Sequence, residues 1–470
     1  MRTCSLVILV VAGLGCGDDH QPAIDAPAPI DAAIDAATVD PHKLVAEVPA
    51  TANHDLDLLF VVDDSSSMAD KQANLRANFP NFINVLATLP GGFPNVHIGV
   101  ITSDMGTKGS EVVAPGPAIG QLGQGGCSGL GKAGNLQTFG APVTGVFLSD
   151  ISDGAGGRIK NYTGNLADVF STMANVGSGG CGFEQSLAAM RAALEGNAAN
   201  AGFLRPSALL GVVFLTDEDD CSIKTPTMFG PASTALGELM SFRCTRFGVT
   251  CTTGGATSDG MNVPGAKSGC AGSVGSTYMT DVAPFHQFLV GLKGDTRLVV
   301  VAGIMGTPTP VTVELRAPPG QTTAIPALAH SCTYQSTSGL EVADPASRIQ
   351  QFLELFPDAQ SSSTICQQDL SGSLGQIGTL VTRAIGSPCI TVPLADVDPA
   401  TPGAQYDCLV EDHLGTTVTP IPACSTGAPT CWSLAPDAAT CTVADHLKFT
   451  VTRTTTPDPA TVTRMRCILP

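Results

Sequence analysis

LLFVVDDSSSM, residues 58–68, is the stretch on which the fold turns. Leu58–Val62 is apolar and branched, the composition of a buried strand. Asp63 stands where that strand should end, and Ser65 and Ser67 follow at steps of two. Asp-x-Ser-x-Ser at the carboxyl end of a strand lets one carboxylate and two hydroxyls turn towards a single point. Oxygen donors of this kind suit a hard cation, Mg2+ or else Mn2+ or Ca2+, rather than Zn2+.

A second apolar run, LLGVVFLT at 209–216, leads straight into Asp217. Open α/β sheets collect ligands at the carboxyl ends of their parallel strands, so two strands that each deliver an aspartate there predict a shared site. Asp63, Ser65 and Ser67 together with Thr216-Asp217 resemble the von Willebrand factor type A domain and its metal-ion-dependent adhesion site. The family shows Thr-Asp-Gly after its fourth strand; here Glu218 replaces the glycine. The resemblance spans residues 54 to 388, with long insertions.

The flanking sequence alternates in the same sense. Leu75, Phe79, Phe82, Ile83, Leu86 and Leu89 recur at helical spacing, with Pro80 expected either to kink that helix or to mark its start. VHIGVIT at 96–102 and LVVVAGI at 298–304 read as further strands. Helical stripes follow near 166–173, 183–194, 285–292, 349–356 and 370–385. Alternating strands and helices predict an α/β fold, a doubly wound, mostly parallel sheet with helices on both faces, over residues 51–388. Gly-rich and Pro/Thr-rich stretches near 105–160, 222–280 and 306–345 read as loop insertions. From 389 to 470 helical periodicity gives way to Pro, Thr and Cys, predicting a small disulfide-braced β module that carries Cys389, Cys408, Cys424, Cys431, Cys441 and Cys467.

Charge and cysteine content bound the function. Asp and Glu number 41 against 23 Lys and Arg, a formal charge of −18, and no basic cluster occurs. Nucleic acid is therefore excluded as a partner, because phosphate binding needs positive charge. Arg2 and the short apolar run Leu6–Ala12 read as a signal peptide over residues 1–15, well short of a membrane span. Gly13-Leu14-Gly15-Cys16 resembles the bacterial lipobox, which implies a lipid on Cys16; the alternative is an ordinary signal with an incidental cysteine. Residues 16–50 follow as lipid attachment and an extended Ala/Pro/Asp tether. The lipoprotein resemblance implies the outer membrane or cell surface, because Gly17 follows the cysteine where inner-membrane retention in that family uses Asp. Setting Cys4 and Cys16 aside from the 16 cysteines leaves an even number, the arithmetic of disulfides in an exported chain.

The resemblance implies a ligand set. Ser65 and Ser67 bind the cation through hydroxyls, and Asp63 and Asp217 bind it directly or through water. The family draws a threonine from a loop that here reads Gly177-Ser178-Gly179-Gly180-Cys181-Gly182. Ser178 is the nearest replacement; alternatively Cys181 takes the place in a disulfide and water completes the shell. Asp64, Glu218 and Asp219 are either a solvated acidic loop or carboxylates that orient metal-bound water. A bridge between Cys181 and Cys221 would fix the two loops. One open coordination position would accept a carboxylate from a partner protein. The competing readings are a structural or accessory envelope lipoprotein whose site is internal or vestigial. No Gly-x-Ser-x-Gly elbow, His-Glu-x-x-His or Walker loop is present and the 8 histidines are scattered, so an enzyme is not expected.

Overall fold

A computed structural model describes residues 42–470 apart from 50–53, 90–91, 113, 295, 319, 358, 386–389, 391, 439–440, 442–444, 456 and 459–460. The expected leader, the lipid site at Cys16, the tether up to residue 41 and Cys389 lie outside the described residues. Seven strands form the central sheet: β1 (Asp55–Val62), β2 (Asn95–Thr102), β3 (Leu148–Ser152), β4 (Arg158–Lys160), β5 (Leu209–Thr216), β6 (Val299–Met305) and β7 (Gln360–Thr364). Their order is β7-β6-β5-β1-β2-β3-β4. The first five in that order run parallel. β3 and β4 are antiparallel additions at one edge.

Six helices cover both faces. On one side lie α1 (Ala69–Ala87), α2 (Leu166–Met173) and α6 (Ser371–Ile385). On the other lie α3 (Ser186–Leu194), α4 (Ala283–Lys293) and α5 (Ser347–Glu354). β1 shows why the sequence pattern is continuous rather than alternating. Leu58, Phe60 and Val62 face the first helical layer, Leu59 and Val61 the second, and all are buried. A strand buried on both faces has no polar side to show. In the first layer Phe60 sits in a cluster with Phe79, Phe82 and Phe170, the last stacked on Phe79 at 3.5 Å between ring centroids.

Pro80 neither starts nor ends α1, which runs through it. Proline has no N–H for the carbonyl four residues earlier. That carbonyl, on Arg76, accepts instead from the Ser171 hydroxyl of α2 at 3.1 Å.

Three expectations require correction. The stretch at 306–345 is not a plain loop: it holds strands Val311–Arg316, Ile325–Leu328, Cys332–Gln335 and Leu340–Ala343. The first two join Gly265–Gly272 and Val249–Thr253 of the 222–280 insertion in one four-stranded sheet, so the two insertions form a single structural unit. The end of the 105–160 insertion supplies β3 and β4. Finally, the tether ends before residue 50. Lys43–Pro49 is a strand, antiparallel to Val462–Cys467 of the C-terminal module, whose sheet continues through Cys408–Leu414 and Thr417–Pro420. The sequence had no way to advertise this: the pairing joins segments more than 400 residues apart, and local pattern carries no record of so distant a partner.

Disulfides join Cys127–Cys181, Cys221–Cys244, Cys251–Cys270, Cys332–Cys366, Cys408–Cys467 and Cys424–Cys431. The expected Cys181–Cys221 bridge is therefore wrong. Each of those cysteines pins its own loop to an insertion instead. Paired cysteines of this number belong to an oxidising compartment. Among the described residues no helix is long and apolar enough to cross a membrane.

Candidate metal centre

β1 and β5 are neighbours, but the chain leaves β1 towards β2 on one side and leaves β5 towards β6 on the other. Their carboxyl ends therefore border the crevice at which a doubly wound sheet opens to ligands. Asp63 extends the ladder by one bond, its N–H donating to Leu215 O at 2.9 Å. Its Oδ1 accepts the Ser65 N–H at 2.7 Å, and its Oδ2 accepts the Thr216 hydroxyl at 2.9 Å. The Ser65 and Ser67 hydroxyls are 3.2 Å apart, and Ser67 Oγ donates to Asp217 Oδ1 at 3.0 Å. Asp63, Ser65, Ser67 and Asp217 are thus brought together as the spacing predicts.

Lysine 71 was not foreseen there. Its ammonium lies 2.9 Å from Asp217 Oδ2 and 2.9 Å from Glu341 Oε2, and donates to Ser67 O at 2.9 Å. The next residue, Gln72, donates to Asp63 O at 2.9 Å and to Gly177 O at 2.8 Å. Both side chains are buried. A signal existed: the apolar stripe Leu75, Phe79, Phe82, continued backwards by one turn, falls on Lys71 and Gln72. Two polar residues on a buried helical face demand partners. Glu341 had no such signal, because the hairpin that carries it was read as loop. That hairpin also binds the first turn of α1 through Ser336, whose hydroxyl donates to Asp70 at 2.6 Å.

The electrostatics are those of a carboxylate pair short of positive charge. Burial, and then the neighbouring Asp217, push the Asp63 carboxyl up to about 7. Burial also raises Asp217, against the pull of Lys71. Lys71 is held above its ordinary range: burial opposes its charge, but Asp217 and Glu341 outweigh it. Glu184 and Glu218 are raised well above theirs, chiefly by burial. Next come Glu218 and then Asp63 acting on Glu184, and Asp344 and then Asp217 acting on Glu218.

The remaining predicted residues are distributed otherwise. Ser178 is exposed on its loop, and among the described residues no hydrogen bond joins it to the four converging donors. The same loop meets Asp64 through backbone: Gly180 N–H donates to Asp64 O at 2.7 Å, and a Cβ at Gly180 would fall 2.2 Å from Asp64 Oδ1. Glycine is what permits that approach. The Asp64 carboxylate is taken by Lys132 at 2.9 Å. The Asp219 carboxylate is engaged by backbone elsewhere. It accepts the N–H groups of Arg348 and Ile349, capping α5. Asp220 accepts the Leu187 N–H at the start of α3 and pairs with the buried Arg348. Of the acidic run, only Glu218 stays beside the centre, with Glu184.

All four converging donors are oxygens, two of them charged, which is the chemistry of a hard-cation site. Among the described residues no group of three or more His, Cys, Asp or Glu side chains is arranged to hold a metal.

No family model matches the chain, and no curated protein matches it. Among solved structures it is similar to a von Willebrand factor type A protein from Catenulispora acidiphila, at 12% identity and TM-score 0.27, over 90% of this chain and 61% of that one. The human COPII-coat protein Sec24c aligns at 10% identity and TM-score 0.28, over 90% of this chain and 41% of that one. The pilus adhesin RrgA from Streptococcus pneumoniae aligns at 11% identity and TM-score 0.21, over 91% and 57%. The chain spans less than two thirds of the length of each.

Proposed function

We propose that this chain displays a divalent-cation-dependent protein-binding site of the von Willebrand factor A type, on an exported domain held at the cell envelope by a lipid on Cys16. The observation that carries the reading is the convergence of Asp63, Ser65, Ser67 and Asp217 at the crevice between β1 and β5. Asp63, Ser65 and Ser67 would hold Mg2+, or Mn2+ or Ca2+ in its place, with Asp217 beside them. A bound cation supplies a Lewis-acidic position for an Asp or Glu carboxylate of a protein partner. The chain's own residues do the rest. Thr216 and the Ser65 N–H fix the Asp63 carboxylate, Gln72 ties the Asp63 backbone to the Gly177 loop, and the acidic surroundings repel carboxylates that lack the cation's attraction. No catalytic step is assigned to them.

One observation favours a second reading, that of an envelope protein whose centre is closed internally. Lys71 already gives Asp217 a positive partner. The two readings separate by calorimetric titration of Mg2+, Mn2+ and Ca2+ into the chelator-treated chain beside its Asp63→Ala variant. Saturable binding in the parent and none in the variant supports the adhesion-type site. No heat in either supports the closed centre and sinks the metal-dependent reading.

A further inference from the structure

Asp63, Ser65, Ser67 and Asp217 come from the loops that follow β1 and β5. A third segment, residues 177–185, is pinned across the same crevice by its backbone. Gln72 Nε2 donates to Gly177 O at 2.8 Å, and the Gly180 N–H to Asp64 O at 2.7 Å. Further along, the Gln185 N–H donates to Ser103 O at 3.1 Å, and Glu184 O accepts the Cys221 N–H at 2.7 Å. The segment therefore meets the carboxyl ends of β1, β2 and β5 before it enters α3.

Few of its side chains can offer an oxygen there. Ser178 is exposed. Gln185 is spent, its Oε1 accepting the Ile223 N–H at 3.2 Å. Glu184 remains. It is 1% exposed, and its Oε1 has no hydrogen-bond partner. Glu218, Asp63 and Asp217 all act on its charge, which places it against the centre. A buried polar group without a partner in a native protein calls for a water or an ion. The groups around Glu184 are acids, and Lys71, the ammonium at the centre, is taken by Asp217 and Glu341. A cation is the group that answers all of them, and a cation beside Glu184 favours its ionised form. Among the described residues no three carboxyl groups already converge on one point, so Glu184 acts first through its charge.

We propose, resting on the cation-dependent reading, that Glu184 is what the third segment contributes to the metal centre: a buried carboxylate whose negative charge joins those of Asp63 and Asp217 in holding the ion. Ser178 then has no part in it. The attraction between a unit charge and an ion scales with the charge of the ion. Removing the Glu184 charge therefore weakens a trivalent ion more than a divalent one. A merely structural role would weaken both alike.

The test is calorimetric titration of Ca2+ and of Tb3+ into the full chain, stripped with chelator and then freed of it, beside Glu184→Gln, Glu184→Asp and Ser178→Ala. Circular dichroism checks the fold of each variant. Glu184→Gln should weaken Ca2+ at least tenfold and Tb3+ by more, roughly thirtyfold where Ca2+ loses tenfold, because the energies stand as three to two. Glu184→Asp keeps the charge and should lie closer to the parent than Glu184→Gln does. Ser178→Ala should stay within twofold of the parent for both ions. Should Glu184→Gln misfold, Ser178→Ala still decides: a tenfold loss there gives the role to the serine and overturns the proposal. An affinity within twofold of the parent in a folded Glu184→Gln overturns it too and leaves the centre standing, as do equal losses for the two ions. No saturable binding in the parent overturns the centre itself, and the role of Glu184 with it.

Discussion

Replacing Lys71 by methionine keeps the stem and removes the charge. The side chains of Lys71 and Asp217 are 1% and 2% exposed, so this is a buried pair, with Glu341 as a second partner at the same 2.9 Å. Breaking a buried pair by deleting one member costs about 3–5 kcal/mol, because the other charge is left uncompensated. Coulomb's law gives a similar figure, about 4 kcal/mol for unit charges 4 Å apart at an effective dielectric near 20. The same arithmetic favours a divalent cation in the variant, where no ammonium repels it. Lys71→Met is therefore expected to lose about 3–5 kcal/mol in chelator and to bind Mg2+ at least tenfold more tightly than the parent. At a hundredfold excess over Kd, Mg2+ should return about 2.7 kcal/mol of that loss. Urea denaturation followed by the helical circular dichroism of α1–α6 measures both quantities; the sole tryptophan, Trp432, sits in the C-terminal module and reports elsewhere. A variant as stable as the parent in chelator, and indifferent to Mg2+, would refute the assignment of Lys71 as the cation that offsets Asp217.

In chelator, the Asp63 contribution makes the melting temperature fall as pH rises from about 4 to 7. Its carboxyl titrates at about 7 when folded and from 3.8 in its ordinary state, so the folded chain holds the extra proton between those values. That contribution is full below the lower value and gone above the upper one; Glu184 and Glu218 act in the same direction. Asp63→Asn should flatten the slope in thermal melts across that range, and an unchanged slope contradicts the assignment. Arg348→Leu should cost about 3–5 kcal/mol in the same denaturation assay, since the fully buried guanidinium binds Asp220, Thr280 O and Gly248 O; a loss below about 1 kcal/mol would mean those partners are repaired by solvent. Gly180→Ala should cost about 1–3 kcal/mol through overpacking against Asp64, and parental stability would show that the loop yields freely.

The sheet and the heart of the centre were legible because they obey local rules. Leu58–Val62 and Leu209–Thr216 announce buried strands by composition, and the residues at their ends must share one edge of a parallel sheet. Asp219 misled because a carboxylate beside a candidate ligand looks the same in sequence whether it faces water or a helix N-terminus. Only the docking of α5 against that loop decides it. Ser178 misled for a related reason: a hydroxyl at a suitable place in a loop says nothing about which way the loop turns, and Gly180 turns it backbone-first onto Asp64. Strands at 306–345 were hidden by their Pro and Thr content. Their partner lies in another insertion, which no local periodicity records.

The sheet shared by Lys43–Pro49 and Val462–Cys467 makes the C-terminal module discontinuous, with the whole α/β domain inserted between its first strand and the rest. Its first strand is synthesised long before the partner with which it pairs. A chain halted before Val462 would leave two open strand edges, at Lys43–Pro49 and at Cys408–Leu414, and Cys408 without Cys467 to oxidise against. Closure of this module thus depends on a segment more than 400 residues downstream of its first strand. The α/β domain has no strand in that sheet, so it is free to fold ahead of the module that its own flanking segments complete.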